Sequence, residues 1–218
     1  MRLLLLAGFL ILAAGTVALT ARYATTQQPG DVRIEGIRFL ADDDYARRLG
    51  GHIKARFGIV LPKTPDDTHE INIVEQSEGG IAQFNFLDPD GVLLESLFIS
   101  AVDLPMNTSP QARLDESAKR LHAEAPAALS RTFTNVSVTR LQPLLLRDSP
   151  AMELRGTYIS PVAGQLFDYH FVTIPHPEKV GSLYAVVHIR RLGDSPTDDS
   201  RSMQALGSLE WLDRANAQ

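Results

Sequence analysis

The chain has 218 residues, no cysteine and a formal net charge of −5. The missing cysteines exclude a disulfide framework and a cysteine nucleophile, and the acidic balance argues against nucleic acid as a partner, because phosphate contacts need clustered Lys and Arg. A hydrophobic content of 44% with 22% charged residues is ordinary for a globular domain and supplies enough apolar material for a core.

The first predicted element is an uncharged apolar run, Leu3–Ala21, preceded by Arg2. As a helix it would rise about 28 Å, close to the ~30 Å hydrocarbon core of a bilayer. We therefore predict that residues 1–22 form a transmembrane anchor; a cleaved signal sequence, whose apolar core is usually shorter, is the alternative. The side chains expected to contact lipid include Leu3, Leu6, Phe9, Leu12, Val17 and Leu19.

A polar spacer, Tyr23–Gly30, follows and ends in Pro-Gly, which is typical of a linker. We expect the two-residue head to stay inside and the body to be exported. The domain would then be membrane-anchored on the periplasmic side, or free in the periplasm after cleavage. Arg22, Arg33 and Arg38 lie beyond the run, and by the positive-inside bias they indicate the opposite orientation.

Residues 31–218 are predicted to form a single α+β domain. The alternating segment Val32–Leu40 is the first expected strand. Acidic residues 42–44 then suit a helix amino terminus, and an apolar stripe at i, i+4 spacing predicts a helix over Asp43–Phe57, weakened by a central Gly-Gly pair. The stripe consists of Tyr45, Leu49, Ile53 and Phe57.

A hairpin and a long helix are expected next. Asp88–Gly91, with Pro and Asp-Gly, predicts a turn between strands Gly80–Leu87 and Val92–Ser100, with Glu70–Gln76 as their neighbour. Ser109 and a following proline then begin a helix, in which Pro126 should cause a kink or a split. Its apolar stripe is Leu114, Ala118, Leu121, Ala125, Leu129 and Phe133.

The last third is predicted to be a meander of four strands followed by a helix. Short turn-rich connections imply that consecutive strands are antiparallel neighbours. The strands are Ser137–Leu146, Met152–Ser160, Gln165–Pro175 and Leu183–Leu192, and the helix is Ser200–Leu212.

The order of these elements resembles the Mog1/PsbP-like α/β/α sandwich over about Ser109–Leu212. The likeness is strongest in Leu141–Tyr158, Leu166–Ile174 and Leu183–Ile189. It implies an antiparallel sheet with helices packed on it, in a small extracytoplasmic or luminal accessory domain. Members are mostly binding or assembly proteins without shared catalytic residues, and a fold alone does not transfer function.

The chain lacks the usual catalytic and cofactor motifs. Its six histidines form no H-E-x-x-H pattern, and there is neither a G-x-S-x-G elbow nor a phosphate-binding glycine loop. We therefore predict no catalytic residue, no metal ligand and no cofactor.

One polar cluster could still bind a ligand. Strand alternation puts polar side chains on one face of each of three neighbouring strands. If these faces coincide, carboxylates and histidines meet, as in an acid/base pair or part of a metal site; cross-strand ion pairing is the structural interpretation. The candidates are Glu153, Arg155, Asp168, His170, His188 and Arg190.

Two functions follow as expectations. The first is a non-catalytic, membrane-tethered accessory domain whose partners are the membrane and other membrane or periplasmic proteins. The alternative is a small-molecule or metal-binding domain, or a hydrolase-type enzyme, that uses the face around Asp168, His170 and His188.

Overall fold

The computed structural model describes residues 35–49, 53, 55–63, 70–75, 80–103, 109–147, 149–162, 164–176, 181–192 and 200–212. The predicted anchor and linker lie outside these residues, and no helix in the described part is long and apolar enough to cross a membrane. The elements in chain order are β1 (Gly36–Ala41), α1 (Asp43–Arg48), β2 (Phe57–Pro62), β3 (Ile71–Glu75), β4 (Gly80–Leu87), β5 (Leu93–Asp103), α2 (Pro110–Leu129), β6 (Thr134–Leu146), β7 (Ser149–Ser160), β8 (Gln165–Pro175), β9 (Gly181–Arg190), α3 (Arg201–Gly207) and β10 (Glu210–Trp211).

The main sheet has seven strands in the order β3-β4-β5-β9-β8-β7-β6. All its neighbours are antiparallel, which confirms the predicted hairpin, its β3 neighbour and the meander. β9 returns to pair with β5 and so joins the two groups of strands into one sheet. The α+β class with a predominantly antiparallel sheet is therefore confirmed for the described residues.

Each face of this sheet has its own apolar core. On one side, which we call the α2 face, Leu154, Tyr169 and Phe171 pack with the buried stripe of α2. On the other side, the α3 face, Val172 and Val187 belong to a core shared with α3 and a second sheet. Because side chains alternate along a strand, the assignment of one residue to a face fixes the faces of its neighbours.

The second sheet, of order β1-β2-β10, corrects two predictions. The helix expected to reach Phe57 ends at Arg48, and Phe57 begins β2. Burial of Phe57, Ile59 and Leu61 against the core favours a strand, so the helical spacing up to Phe57 was coincidental. The carboxy-terminal helix likewise ends at Gly207, and the residues after it pair with β2 instead.

Helix α2 confirms the predicted cap and apolar stripe but not the split at Pro126. The Ser109 side chain accepts a hydrogen bond from the Ala112 amide, and the helix runs unbroken for 20 residues. A proline interrupts the hydrogen bond to the carbonyl four residues earlier, here that of His122. His122 is exposed, so water can hydrate this carbonyl and the helix continues.

Candidate functional site

Four of the predicted site residues share the α3 face of the sheet. In the β7–β8 ladder Arg155 lies opposite His170, and Thr157 lies opposite Asp168. Glu153 precedes Arg155 by two residues on the same strand and therefore points to the same side. The ladder thus brings Glu153, Arg155, Asp168 and His170 to one face of the sheet.

Glu153 is the centre of a hydrogen-bonded network on this face, which we call the Glu153 network. The carboxylate is fully buried, and its Oε1 lies 2.8 Å from His170 Nδ1. The other oxygen, Oε2, accepts from Arg155 Nε at 2.7 Å and from Gln142 Nε2 at 2.7 Å. Three strands, β6, β7 and β8, thus each contribute a donor to one carboxylate.

The charge state of Glu153 follows from these donors. Burial alone would raise the pKa of the carboxyl, but the hydrogen bonds from its three donors and the charge of His170 lower the pKa to about 2. A buried carboxylate that accepts several hydrogen bonds stays ionised at neutral pH. Glu153 is therefore a fixed buried anion that orients the imidazole of His170 and the guanidinium of Arg155.

Asp168 belongs to a separate ion pair on the same face. Arg191, which follows β9, donates to both carboxylate oxygens, at 3.0 Å from Nε and 2.6 Å from Nη2. Sequence reasoning missed both Arg191 and Gln142. Their roles depend on strand register, and the one sequence clue to Gln142 is a polar residue at an alternating position within an apolar strand.

His188 and Arg190 do not join this cluster, which corrects the prediction. In the β8–β9 ladder His188 lies opposite Tyr169 and Arg190 lies opposite Phe167, so both are on the α2 face. Asp168, His170 and His188 therefore do not converge. The polar residues of β7 and β8 point to the same face of the sheet, whereas those of β9 are shifted by one position in the register and point to the opposite face.

On the α2 face, His188 forms part of an aromatic cluster. Its Nδ1 is 3.0 Å from the Tyr158 hydroxyl, and Phe133 stacks on the Tyr158 ring with centroids 4.0 Å apart. Burial, helped by the charge of His170, lowers the pKa of His188 to about 4, while burial raises the pKa of Tyr158. Both groups are therefore neutral at physiological pH, and they act as a polar pair within the core.

The polar side chains on this face are bonded mainly to one another and leave few sites for a ligand. Both oxygens of Glu153 are occupied, and both oxygens of Asp168 are held by Arg191. Among the described residues, no group of three or more His, Asp or Glu side chains could hold a metal ion. His52 and His69 lie outside that part of the chain.

Comparison with solved structures bears out a weak resemblance to the PsbP-like fold. The solution structure of CyanoP, the PsbP protein of the cyanobacterium Synechocystis, has a TM-score of 0.50 at 10% identity and covers 91% of this chain and 98% of its own. A Mog1 mutant has a TM-score of 0.38 at 8% identity and covers 72% of this chain and 92% of its own. A protein of Bacteroides thetaiotaomicron has a TM-score of 0.46 at 12% identity over 84% of this chain.

The chain spans about half the length of the Bacteroides protein, 50%. No protein-family model matches the sequence, and no curated protein matches it either. At these identities the likeness concerns the fold alone.

Proposed function

We propose that this protein is a membrane-tethered, extracytoplasmic accessory domain that binds other membrane or periplasmic proteins and has no catalytic role. The observation that carries the proposal is the uncharged run Leu3–Ala21, long enough to span a bilayer, placed shortly before the first strand at Gly36. An apolar run without a polar face is incompatible with the surface of a water-soluble domain.

The tether is short. Residues 22–35 separate the run from β1, and even fully extended they reach only about 50 Å. The body is therefore confined to the immediate neighbourhood of the membrane, where it meets membrane proteins at a high local concentration.

The described surface supports binding better than catalysis. The carboxylates of Glu153 and Asp168 are occupied by internal donors. The edge strand β6, by contrast, carries exposed apolar side chains at Val138, Leu141 and Leu145. Exposed edges and apolar patches are features of protein contacts. Pro143 lies in the same strand and limits backbone pairing, which favours contact through side chains.

A small-molecule or metal-binding role is the second candidate, and one contact favours it. A histidine whose one ring nitrogen is bonded to a carboxylate is the usual arrangement of a metal ligand or general base, and the Nδ1 of His170 has this bond with Glu153. His188 would not contribute to such a site, because it lies on the opposite face of the sheet. Zinc titration followed by the His170 ring resonances tests it, and unchanged resonances at saturating zinc would eliminate it.

The main proposal is tested by fractionation of cells that express the full chain, with a matched variant lacking residues 1–30. The full chain should remain in the membrane pellet after an alkaline wash, and protease added outside the inner membrane should digest its body. The truncated variant should be soluble. Recovery of the full chain in the wash, or protection of its body from external protease, would contradict the proposal.

A further inference from the structure

The edge strand β6 carries a strip of exposed apolar side chains on the α2 face of the main sheet. Leu141 lies opposite Leu154, and Pro143 lies opposite Met152. Both of these partners belong to the α2-face core, and directly opposite residues of an antiparallel pair project to the same side. Leu145 is the most exposed member, at 68%. The β6 strip, as we call it, consists of Val138, Leu141, Pro143 and Leu145.

Pro143 prevents a partner strand from pairing with this edge. It lies opposite Met152, and Leu145 lies opposite Pro150. A pair that exchanges two hydrogen bonds needs an amide hydrogen from both residues, and proline has none. The backbone groups of Leu141, Pro143 and Leu145 therefore point to the free edge, where the middle residue offers no donor. Register shifts at 134–137 and 138–140 interrupt the rest of the edge. A partner must therefore contact the β6 strip through side chains.

Helix α2 runs along the strands and forms a wall beside the strip. It packs on β6, β7 and β8. Near its start, Arg113 donates to the carbonyl of His176 at 2.7 Å, at the end of β8. Beyond its end, Phe133 stacks on Tyr158, near the other end of β7. The helix axis is therefore roughly parallel to the line of the β6 strip.

The flank of α2 that faces the strip is polar and exposed. Burial, and next the charge of Glu124, raises the pKa of Tyr184 on β9, so the Glu124 flank of the helix is directed toward β9. At about 100° per residue, the opposite flank, directed toward β6, includes positions 115, 119 and 122. These exposed residues are Asp115, Lys119 and His122. Because this flank carries both signs of charge, the apolar strip is the main feature that a partner meets.

The space over the strip has the dimensions of one further helix. Helices packed side by side lie about 10 Å apart, which equals two strand spacings of ~4.8 Å. A helix beside α2 would thus lie over β6 and its free edge. The strip extends from Val138, opposite Gly156, to Leu145. This distance is about 20 Å along the strand, or about 14 residues of α-helix.

We propose that the β6 strip binds an amphipathic helix of about 14 residues from a membrane or periplasmic partner, packed alongside α2 with its apolar face on Leu141 and Leu145. This inference rests on the proposed function, because it identifies the surface through which the domain binds its partner. The strip exposes roughly 300 Å², well below the ~800 Å² per partner of a stable interface, so it is too small for a stable dimer of this chain. A partner that the tether keeps at a high local concentration needs only such a small contact.

Photo-cross-linking of the full chain in intact membranes measures the shape of the bound segment. Benzoyl-phenylalanine replaces Val138 or Leu145 and, as the matched control, Val162, which is 84% exposed in the β7–β8 turn. Mass spectrometry then locates the partner residues that each position captures. Residues captured from positions 138 and 145 should lie about 14 apart on a helical partner, against about 6 apart on an extended one.

Two substitutions in the strip test the contact itself. Leu141→Asp should reduce the cross-link yield from position 145 about tenfold, because it places a charge within an apolar contact, whereas the control Val162→Asp should leave the yield unchanged. Pro143→Ala, which restores the missing amide, should also leave it unchanged. Circular dichroism establishes that the variants are folded.

Captured residues about 6 apart, or a higher yield with Pro143→Ala, would overturn the helix in favour of strand pairing. Cross-links to a second copy of the chain or to lipid alone, or equal capture of the partner at position 162, would overturn the assignment of this surface. The proposed function would survive these results if a lysine-reactive cross-linker still linked a defined partner. If neither reagent linked the chain to another protein, the proposed function itself would fail.

Discussion

The substitution Glu153→Gln tests whether the buried anion organises the three strands of the meander. The glutamine amide keeps the shape of the carboxylate. It is uncharged, however, and its single oxygen cannot accept all three hydrogen bonds. Arg155 would lose its charged acceptor, and the amide group of Gln142 would face another amide across the β6–β7 ladder. The perturbation therefore removes charge without creating a cavity.

The expected magnitude follows from the pKa of Glu153. A folded value of about 2, against 4.5 for an unperturbed glutamate, corresponds to about 3 kcal/mol of stability at neutral pH. The side chain of Arg155 is 23% exposed and can be hydrated after the substitution, which reduces the loss. We expect Glu153→Gln to lower the free energy of unfolding at pH 7 by about 2–3 kcal/mol.

Urea unfolding of the detergent-solubilised full chain, followed by the fluorescence of its single tryptophan, Trp211, measures this difference. Because the folded pKa is lowered, the stabilisation by Glu153 is complete above pH 4.5 and is lost as the pH falls toward 2. The gap between the two proteins should therefore shrink at pH 3. The matched control is Glu116→Gln, which removes a half-exposed pair with Arg120 on α2 and should cost less than about 0.5 kcal/mol. Equal stability of wild type and Glu153→Gln at pH 7, or a gap unchanged at pH 3, would refute the reasoning.

Three further outcomes are expected. Gly156→Ala would place a Cβ 1.9 Å from the Ser137 carbonyl oxygen and 2.3 Å from the Tyr169 hydroxyl. Urea unfolding should therefore show that the free energy of unfolding is lower by about 1–3 kcal/mol. The control Gly207→Ala, whose Cβ would lie in open space, should leave it unchanged. The pKa of His188 is lowered from 6.5 to about 4, so the free energy of unfolding should decrease by about 3 kcal/mol as the pH falls through that interval. A His188→Phe variant with the same pH slope would contradict this. Removal of residues 1–30 should leave a soluble domain with a cooperative thermal transition, and an aggregating product would disprove it.

Local patterns were sufficient to predict most of the main sheet and α2. Alternation, short turns and the capped apolar stripe are properties of the segments themselves, and they agree with the fold. The second sheet could not be predicted in this way. The segment from Phe57 to Pro62 is almost wholly apolar and has no alternation, and its strand form depends on pairing with β1 and β10. The helical spacing of Phe57 therefore wrongly predicts that it belongs to the preceding helix.

Alternation predicts which polar residues share a face within one strand, but it does not predict whether the polar faces of neighbouring strands coincide. Alternation correctly grouped Glu153 with Arg155 and Asp168 with His170. Whether two strands present their polar residues to the same face depends on register, and a displacement of one residue reverses the face. The β8–β9 register put His188 on the α2 face, and no feature of the sequence in that strand reveals this.

The central claim is that this domain acts by binding partners at the membrane that anchors it. Cross-linking of the full-length chain in intact membranes, followed by purification in mild detergent and identification of the linked proteins, tests it most directly. The account predicts a defined membrane or periplasmic partner that is recovered with the full chain and lost with the variant lacking residues 1–30. Repeated recovery of the full-length chain alone would contradict it.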